Sequence, residues 1–107
     1  MATATIPTTI TPEAQALAQK YGVERELEAI LEQGRQTVRG LRELEVEAEP
    51  PTDMGERLIV VRAHIEPAFD DDPSHQEWWE WRIDKFGVDI ALRFLLTTYL
   101  KRADDAR

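Results

Sequence analysis

A chain of 107 residues is one domain by size and buries roughly two-thirds of its unfolded surface, enough for a single modest core. Its 42% hydrophobic and 32% charged content excludes a disordered chain, and no apolar run approaches the roughly 18 residues of a membrane span. The absence of cysteine excludes disulfides, thiolate chemistry and cysteine-based zinc sites, and the net charge of -8 opposes binding to nucleic acid or to an anionic membrane. Small secreted domains are commonly stapled by disulfides, so a cysteine-free chain fits the cytoplasm better. The charge is unevenly placed. From Glu43 to Asp84 there are thirteen acidic residues against Arg57, Arg62 and Arg82, a local charge of -10, while the rest of the chain carries +2.

Residues 1–11 are rich in Thr and Ala and lack the charged and apolar regions of a signal peptide; they read as a mobile tail. A single α+β domain is expected over 12–102, with 103–107 frayed. Thr11-Pro12-Glu13 is a helix start, with a capping hydroxyl, a proline suited to the first turn and an acid at the positive end of the dipole. The first helix runs from Pro12 to about Tyr21 and breaks at Gly22. In the second, Val23, Leu27, Ile30, Leu31, Gly34 and Val38 form one stripe at a spacing of about 3.6 residues, and Gly40 is the expected stop.

Glu43 to Glu49 then alternates acid with apolar, the pattern of a half-buried strand with an acidic outer face. Pro50 and Pro51 end it, Asp53 to Gly55 supply turn residues, and Arg57 to Glu66 follows as a β-branched second strand. The pair reads as an antiparallel hairpin. Ile59, Val61, Ala63 and Ile65 face the core; Val60, Arg62 and His64 share the outer face with the glutamates. Opposite charges there contribute about 0.2–1 kcal/mol per directly opposed pair. A hairpin alone is marginal in water, so it packs on the helices, gains a third strand or pairs with a second copy, which points to a homodimer.

Asp70 to Ser74 reads as a loop entering a helix, with either Asp72 capping ahead of Pro73 or Ser74 capping in a box with Glu77. That Trp-rich helix reaches about Phe86 and is interrupted at Gly87. Val88–Phe94 is expected to be helical, and Leu95–Leu100 is either further helix or a third strand. At about 100° per residue, Trp79, Ile83, Phe86 and Ile90 form the core stripe, Trp78 lies at its edge and Trp81 lies outside it among Glu77, Glu80 and Asp84. So large an apolar side chain is normally covered, either by the rest of the fold or at an interface.

The candidate interface residues are therefore Trp78, Trp81, Arg62 and His64. His64, Glu66, Asp72 and His75 are weak metal-ligand candidates, within an acid- and histidine-rich stretch that matches neither an EF-hand nor a His-Glu-x-x-His site. Ser74 beside His75 has no Gly-x-Ser-x-Gly frame, and the five glycines are dispersed, so no nucleophile elbow or phosphate loop is present. Arg35, Arg39 and Arg42 are better explained by ion pairs with neighbouring acids than by nucleic acid. The chain carries no cofactor signature and no catalytic residue can be named. The leading reading is a non-enzymatic, self-associating interaction or regulatory module. Two alternatives are an antitoxin- or inhibitor-like acidic partner of a basic protein, and a small metal-dependent enzyme using His64–Glu77; a structural subunit of a larger assembly is a further class.

Overall fold

The computed structural model of the chain describes residues 6–50 and 57–100. The turn expected at 53–55, the first five residues of the expected tail and the C-terminus from 101 lie outside the described residues.

Local chemistry sets the first two helices. In α1 (Pro12–Tyr21) the Thr11 hydroxyl accepts from the Ala14 N–H at 3.1 Å. Gly22 ends the helix in the left-handed conformation, at φ 67°, and the next N–H, that of Val23, returns to the Ala18 carbonyl. In α2 (Glu24–Thr37) the residues buried are Leu27, Ile30, Leu31 and Gly34, the stripe read from the spacing. The helix stops at Thr37, ahead of the expected stop at Gly40, because Val38 turns to an extended conformation and is itself buried in the core.

Among the described residues four strands form one sheet in the order β1-β2-β3-β4: β1 (Thr8–Ile10), β2 (Leu41–Ala48), β3 (Ile59–Ile65) and β4 (Phe94–Leu100). The hairpin of β2 and β3 is antiparallel, running from Leu41 opposite Ile65 to Ala48 opposite Ile59, with an irregularity between Leu41 and Glu43. β1 lies parallel to β2, and β4 lies parallel to β3. Parallel neighbours require a long crossover. Helices α1 and α2 make the first, and α3 (Ser74–Phe86) with the single turn α4 (Val88–Ala91) makes the second. The hairpin thus gains a strand on each side from its own chain. The stretch read as a mobile tail holds one of these strands, β1, whose Thr8 hydroxyl also accepts from Arg35 on α2 at 2.9 Å. Leu95–Leu100, open between helix and strand, is strand, and only the first turn of the expected helix at Val88–Phe94 is helical.

All the helices lie over one face of the sheet. Leu44, Val46, Ile59, Val61, Ala63 and Ile65 point into this layer and are buried, together with Phe94 of β4. α3 packs on α2 and α4. A 3₁₀ turn at Pro67–Phe69 leads into α3, where the Asp72 carboxylate accepts from the Ser74 N–H at 2.8 Å. Asp72 is therefore the cap of this helix, while the Ser74 hydroxyl, the alternative cap, accepts from the Arg39 N–H at 2.9 Å.

The buried face of α3 differs from the expected one. Its buried residues are Ser74, Trp78 and Arg82, whereas Trp79 is half-buried and Ile83 is 40% exposed. The helix is rotated by about one residue from the position its own apolar stripe favours. The cause is the neighbour. Gly34 leaves a notch on α2 that the Trp78 indole occupies; a Cβ at that position would stand 2.7 Å from two atoms of its ring. The same indole donates from Nε1 to the Ile30 carbonyl at 2.7 Å. Full burial of one indole with its hydrogen bond satisfied outweighs the deeper burial of Trp79 and Ile83 that the stripe favours.

Candidate interaction surface

Among the described residues no helix lies on the second face of the sheet. Its side chains are the alternate residues of the same strands: Thr9, Glu43, Glu45, Glu47, Val60, Arg62, His64, Leu95 and Thr97. Each is half-buried or exposed. Three glutamates in a row on β2 confront Arg62 and His64 on β3, as the alternation predicts. Glu45 lies directly opposite Arg62, and Glu43 directly opposite His64. Two ion pairs run on the diagonal. Arg62 Nη2 reaches Glu47 Oε2 at 2.8 Å, and His64 Nε2 pairs with Glu45 Oε1. Diagonal pairing follows from the length of the arginine side chain, which can select the next glutamate along the strand. Among the described residues the face stays acidic, because its three carboxylates outnumber its cations.

The tryptophans do not form one surface. Trp78, expected among interface residues, is 1% exposed and belongs to the core of this chain; it is not available to a partner. Trp79 stacks under the Arg82 guanidinium, whose central carbon lies 3.9 Å from the ring centre. Arg82 is 8% exposed and donates to the Trp79 carbonyl at 2.6 Å and to the Ala91 carbonyl at 3.3 Å. Burial makes its charged form less favourable and lowers its pKa, though an arginine stays protonated at neutral pH. Its role is to pin the end of α4, from which β4 departs. Trp81 is half-buried, with its ring edge-on to Phe86 at 5.6 Å. It lines a cleft of about 230 Å³ between α2 and α3 together with Gln33, Thr37, Ser74, Glu77 and Trp78. Its cover comes from Phe86 on its own helix and from the core it packs against, and one side faces that cleft.

The metal candidates are dispersed by their partners. His64 pairs with Glu45 on the open face, Glu66 binds Arg42, and Asp72 caps α3 and meets Arg39 at 3.6 Å. His75 sits half-buried at the start of α3. Among the described residues no three His, Asp or Glu side chains gather to hold a metal ion. The hydrogen bond from Ser74 N–H, helped by Arg39, holds the Asp72 carboxyl below the usual carboxylate range. The arginines also scatter: Arg35 binds Glu32 and Thr8, Arg39 binds Asp72, and Arg42, which lies on β2 rather than on a helix, binds Glu66.

The alternation marks the open face, which β1 and β4 widen. For β4 the signal was the strand-favouring Thr97-Thr98, which already made Leu95–Leu100 a candidate third strand; for β1 it was Thr8-Thr9-Ile10, within the stretch read as a tail. Among the described residues no helix is long and apolar enough to cross a membrane. No family model, no curated protein and no solved structure matches the chain.

Proposed function

We propose that this protein is a non-enzymatic interaction module that engages a basic protein through the open face of its sheet. The observation that carries this reading is the arrangement of Glu43, Glu45 and Glu47 along one strand of a face that no helix covers. Carboxylates so placed speed encounter with a cationic partner and fix its orientation, more strongly at low salt. Val60 and Leu95 on the same face supply apolar area beside the charges, as the centre of an interface requires. An inhibitor- or antitoxin-like role, in which an acidic protein masks a basic one, is the specific form that this surface suits.

The test uses a lysine- and arginine-rich peptide and a neutral peptide of equal length. Binding is measured for the native chain, for Glu43→Gln/Glu45→Gln/Glu47→Gln, and for Glu24→Gln/Glu28→Gln/Glu32→Gln. The last variant removes the same charge from the exposed side of α2. The basic peptide is expected to bind the native chain and the α2 variant alike, to weaken as salt rises, and to lose affinity for the sheet variant. Equal loss in both variants would reduce the effect to bulk charge and overturn the proposal.

A further inference from the structure

The two edges of the sheet are finished differently. β1 has three residues and follows Pro7. β4 has seven, Phe94–Leu100, with no charged residue, proline or glycine. One side of β4 pairs with β3, and among the described residues no strand pairs with its other side. Backbone donors and acceptors along a long uncharged edge are a template for another strand, and proteins usually blunt such an edge by shortness, proline or charge. β1 is short and proline-flanked; β4 has none of these devices.

We propose that β4 pairs antiparallel with the β4 of a second copy of this chain, about a two-fold axis at Thr97, joining two sheets into one of eight strands. Charge selects the occupant. Two acidic outer faces repel each other, but the edge carries no charge to oppose its own copy. Geometry agrees. About Thr97, residue 95 falls opposite 99 and residue 96 opposite 98, so the pleat stays in phase and both helical layers cover the same face. Apolar surface also lies beside this edge: Leu95 is 43% exposed on β4, and Val88 and Leu92, in and just after the helical turn that leads into it, are 56% and 62% exposed. Because the remaining edges are the two blunted β1 strands, the assembly closes at two copies rather than growing into a fibre.

The absence of cysteine makes a direct test available. Across an antiparallel pair, facing Cα atoms are about 4.5–5.5 Å apart, within the roughly 4.4–6.8 Å that a disulfide spans. Thr97→Cys places one thiol at the axis, opposite its own copy. Diamide takes one hydrogen from each of the two thiols and leaves the S–S bond. Most of Thr97→Cys is expected to run as a covalent dimer on a denaturing, non-reducing gel, whereas Thr9→Cys, exposed on β1, runs there as the single chain. The native chain is expected to sediment at twice the monomer mass, at high salt as well as low. Thr97→Lys sets two ammonium groups face to face and should shift the mass to monomer while the circular dichroism stays native; if that variant does not fold, the two cysteine variants decide. A native chain of monomer mass, or a dimer that Thr97→Cys does not link, overturns the proposal. This dimer and the acidic-face reading fail separately. Peptide affinity falls with salt and is lost with the sheet glutamates, whereas the dimer survives salt and depends on position 97.

Discussion

The two faces of the hairpin come from the same fifteen residues, divided by the pleat alone. On one, Leu44, Val46, Val61 and Ala63 are wholly buried beneath α1 and α2. On the other, Glu45, Glu47, Arg62 and His64 hold one another across the strands in partial contact with water. Adjacent residues therefore work by different physics. The covered face is stabilised by removing apolar area from water, at roughly 25 cal/mol per Å². The open face gains little from its ion pairs, because solvent screens them and ordering two long side chains costs entropy. What it offers instead is a fixed pattern of charge on a rigid scaffold.

The contrast can be attacked first at its strongest point. Trp78→Ala removes the indole that fills the Gly34 notch, together with its hydrogen bond to the Ile30 carbonyl. The expected loss is about 3–5 kcal/mol, read by chemical denaturation, a large part of the stability of a domain this size. A loss below about 1 kcal/mol would mean that α3 does not dock through this residue.

A matched pair tests the pleat directly. Val61 is wholly buried and Val60, its neighbour, is half-buried on the open face. Val61→Ala is expected to cost about 2 kcal/mol, from two buried methyl groups and the cavity they leave, and Val60→Ala less than half of that. Equal losses would show that the open face is covered in solution, by a second copy or another molecule.

The ion pairs come next. A double-mutant cycle on Arg62→Ala and Glu47→Ala should return a coupling below about 1 kcal/mol that shrinks as salt is added. A larger, salt-insensitive coupling would place the pair out of reach of water.

The smallest effect lies away from the sheet. Asp72 is ionised more readily in the folded protein than in the unfolded chain, through its bond from Ser74 N–H and the nearby Arg39. A carboxylate with a depressed pKa contributes stability above its unfolded value, and that contribution is lost as pH falls through the folded one. Asp72→Ala should therefore lower the melting temperature slightly at neutral pH, and the two proteins should converge in strong acid. A gap that persists there would assign the effect to helix propensity rather than to the charge.

How much was legible follows from how local each signal is. Thr11, Pro12 and Gly22 act within one helical turn, so α1 and its ends could be read directly. The alternation from Glu43 to Glu49 belongs to one strand and already separates a covered face from an open acidic one. The phase of α3 was not local. Its own stripe favoured Trp79 and Ile83, and the outcome was set by a glycine more than forty residues earlier. That glycine stood in the apolar stripe of α2, where a missing side chain marks a close approach by another group. The four residues expected at an interface divided accordingly: Arg62 and His64 lie on the open face, Trp81 lines a cleft, and Trp78 is core.

The amino-acid sequence by itself determined the α+β class, the hairpin with its two unlike faces, the helices of the N-terminal half and the acidic balance of the outer surface. Periodicity, capping and charge act over a few residues and need no partner. Only the tertiary structure decided that Thr8–Ile10 and Phe94–Leu100 are strands, that both join the hairpin in parallel, and which tryptophan is buried. Those outcomes depend on a free strand edge or a vacant notch elsewhere in the chain, and a residue's own neighbours in sequence carry no information about either.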